Sequence, residues 1–181
     1  MDESLRRILA LLLEGVNTAV DGVAAGHLSP DAFQAEMVRR LFEGHVAAYL
    51  VGRDVRDISP QGERLVKDAV KEQIDYLNNF VDTIAAEGWR EAFAARAQLY
   101  AGSIKATFYK GRTFGLAMPY YPGDGSTPCL GNCRCSLETV WQDGEELHAE
   151  VYWRLGAEEH CAECPQRAAR SPYRFREGEL L

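Results

Sequence analysis

The chain has 181 residues, of which 46% are hydrophobic and 26% charged, so it carries enough apolar material to bury a core and too much to remain disordered. With 27 acidic against 20 basic side chains the formal net charge is -7, which repels phosphate unless the cations are sorted onto one face, and nucleic acid is not the default partner. The most apolar early stretch, ILALLLEGV, is preceded by Arg6 and Arg7 and interrupted by Glu14, and it has neither the length of a membrane span nor a small-residue cleavage site. No targeting segment and no membrane anchor are expected, and the compartment is expected to be reducing.

In chain order, Leu5, Ile8, Leu9, Leu12, Val16, Ala19, Val20 and Val23 recur at helical spacing and end at AAGH, which predicts a first helix. SPDAF then offers Ser29 as N-cap, Pro30 at the first helical position and Asp31 at the positive end of the dipole, leading into Phe33, Met37, Val38, Leu41, Phe42 and His45. SPQGE repeats the device, with Ser59 and Pro60 opening a helix through Val66, Val70, Ile74, Leu77, Val81 and Ile84 that Gly88 caps or kinks. A fourth helical pattern runs through Trp89, Phe93, Leu99, Tyr100, Ile104 and Phe108. LAMPYYPGDGSTP cannot continue a helix and marks a boundary, giving a helical domain over 1–118 and a short-element module over 119–181. PGDGS reads as a turn, because no glycine-rich phosphate motif or helix pattern surrounds it. His45, on the Leu41 and Phe42 side of its helix, reads as a satisfied interior residue.

All five cysteines lie in the second region: Cys129, Cys133 and Cys135 in a C-x3-C-x-C run, then Cys161 and Cys164 as C-x2-C. Between them, a hairpin with a loop of Asp143, Gly144 and Glu145 would pair Trp141 with Leu147, Thr139 with Ala149, Leu137 with Val151 and Cys135 with Trp153. Folding it back brings both cysteine groups to its open end. Paired ligands from two short segments are how small modules build tetrahedral zinc sites, so a structural zinc held by four of the five thiols is expected. Cys129, Cys133, Cys161 and Cys164 are the first choice, with Cys135 packed or substituting for one of its neighbours, and His160 an outer-shell or surface group. An odd thiol count argues against a disulfide framework, and no orienting partner marks a catalytic cysteine. The fold class is mainly α with a small β-hairpin, zinc-binding C-terminal module.

The stretches YYPGDGSTPCLGNCRCSLE and YWRLGAEEHCAECPQRA resemble the cysteine-rich end of tailed-bacteriophage head morphogenesis or minor head proteins, the group that includes the phage Mu F-like proteins. Asn132 to Cys135, N-C-R-C, and the separate C-x2-C carry the likeness, and IDYLNNFVDTIAAEG and RAQLYAGSIKATF are similar to the helical portion of such proteins. In many of them the C-x2-C precedes N-C-R-C, whereas here it follows. The resemblance implies a non-enzymatic virion or prophage structural protein, in the particle or the bacterial host cytoplasm, that acts in head assembly beside portal or capsid subunits. Self-association is expected through spare helix faces carrying Tyr76, Phe80, Phe93, Tyr100 and Phe108, each of which also suits the core. Two other readings remain open at this point. One is a zinc-dependent hydrolase with Glu158 and Glu159 as bases. The other is a DNA-binding accessory of packaging or ejection that uses Arg167, Arg170, Arg174 and Arg176 in the basic tail, which reads equally well as a solvated arm.

Overall fold

A computed structural model describes residues 2–142, 147–157 and 159–181. The chain is mainly helical with a small antiparallel sheet near its C-terminus, the architecture expected from the two hydrophobic periods. Helices α1 (Glu3–Ala24), α2 (Pro30–Arg53) and α3 (Pro60–Glu87) follow the apolar stripes. Their starts are set by capping chemistry: Asp2 accepts from the Ser4 and Leu5 amides, Ser29 from Ala32 and Ser59 from Gly62, with proline beginning α2 and α3. Gly88, at φ 74°, ends α3. None of the helices is long and apolar enough to cross a membrane, among the described residues.

The fourth helical stretch is broken. Helix α4 (Ala92–Leu99) gives way to a 3-10 turn over Tyr100–Ser103 before α5 (Ile104–Arg112) resumes. Helix α5 packs closely on α2 because glycines line the crossing. A β-carbon on Gly52 would overlap the Phe108 carbonyl oxygen, and one on Gly111 would lie 2.7 Å from the Tyr49 carbonyl oxygen. Phe80, Tyr100 and Phe108 are buried, and Phe93 is half-buried against Phe80 and Trp89; of the five aromatic positions considered for assembly contact, Tyr76 alone is exposed.

Strands β1 (Ser136–Trp141), β2 (Ala149–Arg154), β3 (Tyr173–Arg176) and β4 (Glu179–Leu180) form an antiparallel meander in that order, with helix α6 (Glu163–Arg170) between β2 and β3. The hairpin exists, but its register differs from the expected one by two residues. Leu137 pairs with Trp153, Thr139 with Val151 and Trp141 with Ala149. The expected loop residues 143–145 lie outside the described residues. Since side chains alternate with period two, a two-residue shift keeps the same face inward, and the apolar pattern cannot choose between the registers. Charge does: the expected register sets Glu138 against Glu150, whereas here Arg154 of β2 pairs with Glu138 of β1 at 2.7 Å; Arg174 of β3 holds Glu150 at 2.9 Å from the other side of β2 in either register.

The C-terminal tail is a second correction, since it is not a solvated arm. Tyr173 and Phe175 point into the core, and the Arg167 side chain is buried with its guanidinium 4.1 Å above the Tyr120 ring. The inner sheet face, through Leu137, Ala149, Val151, Trp153 and Phe175, belongs to the same apolar cluster as the cores of α1 to α5.

His45 is an interior residue with both ring nitrogens engaged. Ser103 spends its hydroxyl proton on the Tyr100 carbonyl and so accepts from Nε2 at 3.1 Å, which leaves Nδ1 to accept from Thr107 at 2.7 Å. Burial, with the nearby Lys110 charge second, lowers its pKa to about 4. The unfolded chain therefore takes up a proton, as pH falls below the ordinary imidazole value, that the folded chain refuses. The stability His45 confers is complete above that value and declines towards pH 4, by about 2 kcal/mol between about pH 7 and pH 5. Urea unfolding of the parent and of His45→Gln at both pH values checks this: the variant should be less stable at neutral pH and should lack that component of the slope. Gly52→Ala, which forces α2 and α5 apart, should cost about 2 kcal/mol or more in the same assay.

Candidate metal centre

Three segments deliver the cysteines. Cys129 and Cys133 flank a 3-10 turn over Leu130–Asn132, Cys135 immediately precedes β1, and Cys161 lies just before α6 and Cys164 in its first turn, after β2 has returned to the same end of the sheet. Upstream, the PGDGS turn is held by Asp124, which accepts from the Tyr121 and Ser126 amides, while Gly123 and Gly125 take positive φ. Arg167 ties this turn to the sheet, donating to the Ser126 hydroxyl at 3.1 Å and lying above Tyr120 and Trp153. The segment after β2 approaches equally closely: a β-carbon on Gly156 would sit 2.7 Å from the Arg134 carbonyl oxygen.

The five thiols meet in one cluster able to hold a metal ion. Its sulfurs form two overlapping groups, Cys129 with Cys161 and Cys164, and Cys133 with Cys135 and Cys164, each with all atoms within 4.8 Å of one another. Cys161 lies 3.3 Å from Cys164 and 3.7 Å from Cys129, and Cys164 lies 3.9 Å from Cys129 and 4.0 Å from Cys133. A zinc–thiolate bond of about 2.3 Å implies a tetrahedral sulfur–sulfur edge of about 3.8 Å, so these separations already fit a coordination shell. All five cysteines named from the sequence are thus brought together. Cys135 is among them, and its nearest imidazole is that of His160, with Nδ1 4.0 Å from the sulfur. Glu158 lies outside the described residues, and Glu159 is exposed.

In the metal-free chain burial pushes the Cys129 and Cys164 thiols up, and at Cys133 the neighbouring Cys135 thiol acts first and burial second. Cys161 goes the other way, to about 7: its own desolvation opposes this, but the Cys164 thiol and amide hydrogen bonds outweigh it. The three thiols that resist ionisation on their own, Cys129, Cys133 and Cys164, become thiolates when a soft cation supplies the opposing charge.

Sequence reasoning missed Lys105. It is buried on α5, and its ammonium donates to the Gly131 carbonyl at 2.8 Å and the Cys133 carbonyl at 3.0 Å. Beside it the two 3-10 turns cross backbone to backbone, where a β-carbon on Gly102 would lie 2.6 Å from the Gly131 oxygen. The helical body therefore grips the cysteine loop through two glycines and one ammonium. A lysine in a helix of alternating charge and apolar residues gives no sign of this; the Gly102 and Ser103 interruption of the helical pattern was the only cue. Comparisons with protein-family models, with curated proteins and with solved structures find no match for this chain.

Lys105→Met strips both carbonyls of their donor and removes the cation facing the thiols. Competition with a chromophoric chelator should show metal affinity reduced by about tenfold or more, the usual cost of losing an outer support.

Proposed function

We propose that this chain is a non-enzymatic structural protein of a tailed-bacteriophage head that acts near the portal or capsid during assembly. In this reading a helical body makes the assembly contacts and a zinc ion held by the clustered cysteines stiffens the C-terminal module after residue 118. The observation that carries the metal part is the convergence of five thiols within overlapping 4.8 Å groups. An all-sulfur or sulfur-and-imidazole set favours zinc over the hard cations, and a supply of thiols beyond four closes the coordination shell against a substrate, which supports a structural role over hydrolysis. The N-C-R-C element and the C-x2-C support the phage assignment by resemblance. The DNA-binding alternative is weakened by the use of two of its four arginines inside the chain, Arg167 on Tyr120 and Arg174 on Glu150.

For assembly contact, Tyr76, Leu99 and Leu130 are exposed apolar side chains that border one cleft of about 430 Å³ between α3, α4 and the cysteine loop. Exposed apolar groups at one edge are where a neighbouring copy or a portal helix gains burial. Untagged full-length protein, purified without chelator, should contain zinc, and Cys164→Ser should lose it; zinc-free parent protein rejects the metal reading. Tyr76→Lys should leave the circular dichroism unchanged yet weaken co-purification with portal or capsid subunits by about tenfold, the effect of one to two kcal/mol at a contact. Undiminished binding moves the contact to another face.

A further inference from the structure

Five thiols are one too many for a single tetrahedral ion, and with His160 they are two too few for a pair of independent ones. The count closes if two ions share two ligands, because six donors then fill eight coordination positions. The cluster offers six: Cys129, Cys133, Cys135, Cys161, Cys164 and His160. We infer that the site is binuclear, two zinc ions bridged by the Cys133 and Cys164 thiolates, with Cys129 and Cys161 completing one tetrahedron and Cys135 and His160 the other. This rests on the zinc reading above and extends it.

The geometry supplies the bridges. Cys164 belongs to both sulfur groups, and its sulfur lies 3.3 to 4.0 Å from those of Cys161, Cys129 and Cys133. Cys133 lies in the inner group, 4.0 Å from Cys164, and as the second bridge it closes on the outer pair when the ions bind. Bridging ligands sit between two ions and must be innermost; Cys133 and Cys135 are 2% exposed and Cys164 1%, which rules out the half-buried Cys129 and Cys161 as bridges. His160 is oriented as a ligand. Its Nε2 donates to the Gly156 carbonyl at 3.0 Å, which fixes the proton there and leaves the Nδ1 lone pair towards Cys135. That backbone hydrogen bond on the far nitrogen is the usual support of a metal-bound imidazole. Charge agrees: five thiolates against two dications leave one net negative charge, beside the Lys105 ammonium at the Gly131 and Cys133 carbonyls. One zinc with four thiolates would leave two negative charges and an idle thiol within the same buried cluster. Each cysteine that is still protonated passes its proton to water as its sulfur–zinc bonds form, so loading releases protons in step with the metal bound.

Full-length protein loaded with zinc under reducing conditions and desalted should carry two ions per chain by elemental analysis. In the cadmium-113 form, two resonances are expected, and proton–cadmium correlations should link the β-protons of Cys133 and Cys164 to both, those of the other three cysteines to one each. His160→Ala should keep its circular dichroism and surrender one of the two ions to a weak chelator. One zinc per chain, unaffected by His160→Ala, overturns the binuclear site and leaves the structural-zinc reading standing. Two resonances without shared protons overturn the bridges, and a chain that binds no zinc overturns both readings.

Discussion

Everything in the C-terminal half depends on the register of the β1–β2 pair. Cys135 enters β1 directly, and Cys161 leaves β2 after a short segment, so the pairing of these strands decides whether the two cysteine groups coincide. A slip of one residue would turn Leu137, Val151 and Trp153 to solvent and is excluded by burial. A slip of two keeps the apolar face but displaces one cysteine group from the other by about 7 Å, too far for any shared ion. What opposes that slip is modest: the Arg154–Glu138 pair is exposed, and such pairs contribute at most about 1 kcal/mol. The thiol cluster and the register therefore hold each other in place, since the sheet aligns the sulfurs and a bound cation would penalise every other alignment.

Much of the helical part was legible because its signals are local. The Ser29–Pro30 and Ser59–Pro60 starts, the Gly88 stop and the stripes of α1 to α3 need no information from elsewhere in the chain, and they appear where the capping rules put them. The convergence of both cysteine groups was legible only coarsely: a hairpin returns its two ends to the same end of the sheet, but the expected register, two residues away, leaves the groups about 7 Å further apart than the observed pairing does.

What sequence could not supply is tertiary in origin. The choice between two registers of equal apolar alternation rests on Arg154 reaching Glu138 across the hairpin, and the strand β3 was absent from the reading of the tail. That tail, rich in arginine, has the composition of a solvated arm; its burial depends on Tyr120 and Trp153, which offer ring faces to Arg167 only after the sheet has formed. The 3-10 break at Tyr100–Ser103 is likewise set from outside, by the backbone of Gly131 that must pass against Gly102.

Lys105 connects these observations. An ammonium buried on a helix is costly unless hydrogen bonds and an opposing charge compensate it. Two carbonyls of the cysteine loop supply the hydrogen bonds, and the sulfurs beside them can supply the charge only when ionised. With protonated thiols the lysine has acceptors but, among the described residues, no anion; with thiolates and no cation the sulfurs repel one another around it. Thiolate, cation and ammonium together would complete the arrangement electrostatically. A lysine that belongs by sequence to the helical body would then tie the state of the cysteine cluster to how firmly that body holds the cysteine loop.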